Sequence, residues 1–72
     1  MKDTIEMIKD IRAVPCPVNS TAHLVIEEYG AGWRIGWRHS QEFYPLQSGE
    51  TLEDATAYSY RLLQHTGHIP KC

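Results

Sequence analysis

The residues best suited to chemistry in this 72-residue chain are four histidines, two cysteines and several adjacent carboxylates. His65, His68 and Cys72 follow one another as H-x-x-H-x-x-x-C, and Cys16 could add a fourth donor. Tetrahedral zinc accepts such a nitrogen and sulfur set. The run lacks the paired C-x-x-C hooks of a legible zinc site, and Gly67 interrupts any helix between the histidines. A polar tail without metal is the expectation. Cys16 lies between Pro15 and Pro17, with no helix N-terminus to lower its pKa, so it is a poor nucleophile. Glu27 and Glu28 would project to opposite faces of a strand, and Glu53 and Asp54 suit a helix start. Neither pair is placed for general acid–base work. His23 and His39 come near one another across the first expected hairpin, as plain surface residues. No phosphate cradle, Walker motif, nucleophile elbow or H-E-x-x-H occurs. The expectation is therefore no enzyme, no cofactor and no metal.

What the chain offers instead is surface. The aromatics Tyr29 and Phe43, the arginines Arg34 and Arg38, and Val25 fall at positions that alternation assigns to one face of a sheet. Aromatic and arginine sets are typical of protein interfaces. The plainer reading is a solvated face on which Arg34 pairs with Glu27. Stacking of single-stranded nucleic acid would use the same residues, but only 7 Lys and Arg stand against 9 Asp and Glu. The net charge of −2 argues against broad phosphate binding.

Those side chains need a scaffold, and 72 residues allow one domain. The hydrophobic fraction of 42% is enough for a folded core. No apolar run reaches the ~18–20 residues of a membrane span. The N-terminal stretch mixes charges with apolar residues and reads as neither signal peptide nor anchor. A cytoplasmic protein is expected, with Cys16 and Cys72 as free thiols rather than a disulfide. A domain this small should have a net stability of ~3–5 kcal/mol, so self-association is one route to added stability.

Periodicity predicts a helix over 3–13, capped by Asp3, with Met7, Ile8, Ile11 and Val14 on its apolar side and Ile5 at the margin. Pro15 and Pro17 end it, and a stiff connector follows. A three-stranded antiparallel meander is predicted over 22–46. Trp33, Ile35 and Trp37 alternate with Arg34, Gly36 and Arg38 along its second strand. An even-numbered turn around Gly30-Ala31-Gly32 groups Leu24 and Ile26 with Ile35 and Trp37. With four loop residues, Tyr29 opposes Arg34 and Val25 opposes Arg38. Ser40-Gln41 forms the second turn, and Pro45 confines the third strand to an edge. A second helix spans 51–66, capped by Thr51 and stopped by Gly67. Its inward stripe is Leu52, Ala55, Ser59, Leu62 and Leu63, with Tyr58 and Tyr60 flanking. Residues 67–72 form a tail. The fold class is α+β, two-layered, in the order α-β-β-β-α with both helices on one face of the sheet. The expected core is Leu24, Ile26, Ile35, Trp37, Leu52 and Leu62.

This element order resembles the double-stranded RNA-binding domain in topology. In that family the second helix opens on a lysine-rich segment that grips phosphates. Here the corresponding stretch is Glu50-Thr51-Leu52-Glu53-Asp54-Ala55, which is acidic, so the resemblance implies the fold and not the RNA binding. The stretch Gly49-Glu50-Thr51-Leu52-Glu53-Asp54-Ala55 also looks like the strand-to-helix junction of HicB-type antitoxins, and helix-capping physics accounts for that likeness. No specific family is identified. The reading is a small, non-catalytic interaction module that binds a protein partner, or a second copy, through the open sheet face. Its role would be that of an accessory regulator or inhibitor of the phage or mobile-element kind. The alternative is a nucleic-acid-binding domain of the same topology.

Overall fold

The computed structural model describes residues 2–70. The element order is α1 (Thr4–Arg12), β1 (His23–Tyr29), β2 (Gly32–His39), β3 (Glu42–Gly49) and α2 (Leu52–His65). Both helices begin as their capping residues dictate. Asp3 Oδ1 accepts from the Glu6 N–H at 2.9 Å, and Thr51 Oγ1 accepts from the Asp54 N–H at 3.0 Å. The strands form one antiparallel sheet in the order β1-β2-β3. Among the described residues no helix is long and apolar enough to cross a membrane.

Each hairpin closes through two residues, Gly30-Ala31 and Ser40-Gln41, whose first members have φ of 61° and 57°. A positive φ at that position suits the strand twist that two-residue turns must match. The even loop is therefore present, but it is two residues long rather than four. Tyr29 opposes Gly32, Glu27 opposes Arg34, and Val25 opposes Gly36. The expected oppositions of Tyr29 with Arg34 and Val25 with Arg38 do not occur. Face assignments survive, because a shift of two residues leaves parity unchanged.

The third strand runs on past residue 46 to Gly49, and it is irregular. Gly36 opposes Pro45 and Ile35 opposes Gln47, so Leu46 is an extra residue without a partner. A bulge beside a proline is compatible with an edge strand, where the missing N–H breaks no inner ladder.

α2 lies along β3 and β2, and α1 packs against α2. Ile11, Val14, Cys16, Trp37, Tyr60, Leu63 and Ile69 form one buried cluster, with Met7, Leu24, Tyr44 and Leu46 partly buried around it. Ile35 and Ala55 are also buried. Leu24, Ile26, Leu52 and Leu62 are only half-buried, so the expected core is partly displaced. Its centre lies closer to the connector and the end of α2. Tyr60 is buried rather than flanking, and its hydroxyl donates to Asp10 Oδ2 at 3.3 Å, tying α2 to α1.

The expected tail is corrected over 67–70. The Gly67 N–H donates to the Gln64 carbonyl at 3.1 Å, and the His68 N–H to the Leu63 carbonyl at 2.8 Å. This is a Schellman closure with Gly67 at φ 85°. It turns the chain back so that Ile69 is buried at 5% exposure. Cys72 lies outside the described residues.

Candidate functional site

The sheet face away from the helices carries side chains from all three strands. β1 contributes Val25, Glu27 and Tyr29, β2 contributes Arg34, Gly36 and Arg38, and β3 contributes Phe43. Strand alternation alone places them together. Glu27 directly opposes Arg34, and its Oε1 accepts from Arg34 Nε at 2.7 Å and lies 2.6 Å from Arg34 Nη2. Arg38 Nη2 donates to the same oxygen at 3.2 Å. One carboxylate thus holds two guanidinium groups, leaving a local charge of one positive unit. The hydrogen bond from Arg34 is the main reason the Glu27 carboxyl sits below its ordinary value of 4.5. The positive charges of Arg34 and Arg38 add to it, while desolvation opposes it.

The arginines are also stacked. The Arg34 guanidinium lies 4.1 Å from the centroid of the Phe43 ring and 4.5 Å from that of Tyr29. Arg38 lies 5.4 Å from the Phe43 centroid. These distances fall within the range of cation–π attraction. Phe43 can settle between the two arginines because β2 has no side chain at Gly36. A Cβ there would stand 2.6 Å from Phe43 Cζ and 2.5 Å from the Tyr44 carbonyl oxygen. Tyr29, Arg34, Phe43, Pro45, Gln47 and Ser48 border a shallow groove of about 520 Å³ beside the stack.

Tyr29, Arg34, Arg38 and Phe43 therefore meet in one cluster. Val25 shares their face opposite Gly36, at the β1 margin. Glu27 organises the cluster, and the sequence signalled it only as a possible partner of Arg34. Tyr29 is 59% exposed, whereas the Arg34 side chain is 27% exposed. The outer ring is thus available to a partner, and the guanidinium beneath it is half shielded.

The other sequence candidates are not assembled. Cys16 is buried in the apolar core. The His68 Nδ1 is within 2.8 Å of Thr66 Oγ1. Among the described residues no three of His, Cys, Asp and Glu are grouped to hold a metal, and Cys72 is not among those residues. His23 opposes Arg38, which puts it on the face opposite to that of His39, so the two histidines do not pair. His39 Nδ1 instead lies 3.2 Å from Thr21 Oγ1. A second polar cluster joins Lys2, Asp10 and Tyr60 at the seam between the helices. Lys2 is held protonated well above its usual range, chiefly by its hydrogen bond to Asp10. Nothing in the local sequence pattern foretold it, because Asp10 and Tyr60 are fifty residues apart. No family model, curated protein or solved structure matches this chain.

Proposed function

We propose that this chain is a non-catalytic protein-interaction module whose working surface is the open sheet face centred on Tyr29, Arg34, Arg38 and Phe43. As an accessory regulator or inhibitor, it would act by occupying a surface of another protein. The observation that carries this reading is the stack itself. Arg34 is held between two rings and anchored by Glu27, so little side-chain freedom remains to be lost on binding. Aromatic and arginine residues on a flat sheet are also the types from which binding hot spots are made. The shared Glu27 carboxylate and the acidic start of α2 at Glu53 and Asp54 favour a protein partner over a phosphate backbone.

The test compares the wild-type chain with the double variant Tyr29→Ala/Arg34→Ala, both immobilised and exposed to extract from the native host. A specific protein retained by the first and lost from the second, with an unchanged circular dichroism spectrum, supports the reading. An Arg34→Lys variant separates stacking from charge, since lysine keeps the charge but not the planar group. Equal retention by wild type and double variant would overturn it. So would retained nucleic acid whose binding collapses steeply as salt rises, which is the mark of phosphate contacts.

A further inference from the structure

We propose that the free edge of β1 pairs with β1 of a second copy, antiparallel about a twofold axis at Val25, giving a continuous six-stranded sheet. This concerns the edge of the sheet rather than its face, and it stands apart from the function proposed above.

The two edges of the sheet are built differently. β3 carries Pro45 and the extra residue Leu46, both of which interrupt a ladder. β1 has no proline, no lysine and no bulge over His23–Tyr29, and among the described residues it pairs in unbroken register with β2 alone. Among the described residues no loop or turn backbone group bonds to its outer side. Because Tyr29 and Gly32 close a two-residue hairpin, they form a hydrogen-bonded pair. Alternation then turns the N–H and C=O groups of Leu24, Ile26 and Glu28 outward. Unpaired edges of this kind are templates for another strand, and the devices that blunt them are confined here to the charges of Glu27 and Glu28 near one end, leaving Leu24, Val25 and Ile26 open.

Side-chain pairing selects the register. A twofold axis perpendicular to the sheet keeps both copies' helices on the same side, so it must pass through a residue opposing itself. With the axis at Val25, that residue meets its own copy and Leu24 meets Ile26 of the second copy. His23 then meets Glu27 of the second copy. Over residues 23–27 every apolar residue faces an apolar one and His23 faces a hydrogen-bonding partner, while Glu28 falls beyond this stretch, opposite Ala22. With the axis at Ile26, Val25 would face Glu27 and Leu24 would face Glu28. With the axis at Glu27, that carboxylate would face itself. Val25, Leu24 and Ile26 are each half-buried in the single chain, so pairing removes further apolar surface from water.

Sedimentation or light scattering of the full chain should give twice its 8.3 kDa mass. Val25→Lys sets two like charges against each other at the axis. It should return the mass to that of one chain, with an unchanged circular dichroism spectrum. In a Cys72→Ser background, Val25→Cys should become disulfide-linked under mild oxidation and Ile26→Cys should not. Opposed residues of a non-hydrogen-bonded pair lie about 4.5 Å apart at Cα, within reach of a disulfide. A single-chain mass up to millimolar concentration would overturn the proposal. So would an unaltered dimer in Val25→Lys, or crosslinking through Ile26→Cys in place of Val25→Cys.

Discussion

Gly36 matters because Phe43 occupies the space above it. Gly36→Ala should therefore cost about 1–3 kcal/mol, the usual range for forcing extra volume into a filled position. Thermal denaturation should show the loss, and the aromatic proton shifts of Phe43 should move. Beside it, Glu27 makes the face sensitive to acid. Its folded pKa lies below its ordinary 4.5, so its contribution to stability is present above that value and is lost as pH falls through the folded pKa. Glu27→Gln should accordingly lose less stability on acidification than the wild type, as read from melting temperatures on either side of pH 4.5. The residues of this cluster were legible from alternation alone, because Tyr29, Arg34, Arg38 and Phe43 share parity across three strands. That Arg34 would lie between two rings was not legible. It depends on a two-residue turn, and Gly30-Ala31-Gly32 allowed a longer one.

The starts and stops of the helices were written plainly, in Asp3, Thr51 and Gly67, since each supplies a group or conformation that a helix end requires. Which turn of α2 would be most buried was less plain. Ala55, Ser59 and Leu63 of the expected stripe are buried there, but Leu52 and Leu62 are only half-buried, and Thr56 and Tyr60 are buried as well. Thr56 satisfies its hydroxyl by donating to the Leu52 carbonyl at 2.8 Å. Among the described residues the Ser59 hydroxyl is buried without a partner. Ser59→Ala should therefore raise stability by about 1 kcal/mol, because it removes a desolvated group that makes no bond. For a domain of this length that is a rise of roughly 4–8 °C in Tm. Ile69 escaped notice for a different reason. A single apolar residue beyond a helix stop has no periodicity, and only the bonds of the Schellman closure bring it back to the core.

For the molecule as a whole, the order α-β-β-β-α followed from the succession of 3.6- and 2-residue periods, and the structure has that order. Periodicity assigns residues to faces but does not say how far a cover extends. Leu24 and Ile26 lie on the covered face yet remain half-exposed, while Val14, Cys16 and Ile69 from irregular segments complete the core. Trp37 lies at the meeting point of these contributions and is 4% exposed. Trp37→Ala should cost about 3–5 kcal/mol. A domain of this size has about that much stability in total, so the variant should be largely unfolded by circular dichroism at room temperature.

The interruption of β3 at Pro45 and Leu46 has a consequence for growth without limit. A sheet with two receptive sides adds copies indefinitely and becomes a fibre, whereas one with a single receptive side stops after one addition. Concentrated wild-type solutions should then remain clear and should not bind thioflavin T. Pro45→Val restores a backbone donor on the closed side, and it should be the first substitution to produce filaments. In a domain with so little core, a proline in an outer strand also decides that association ends.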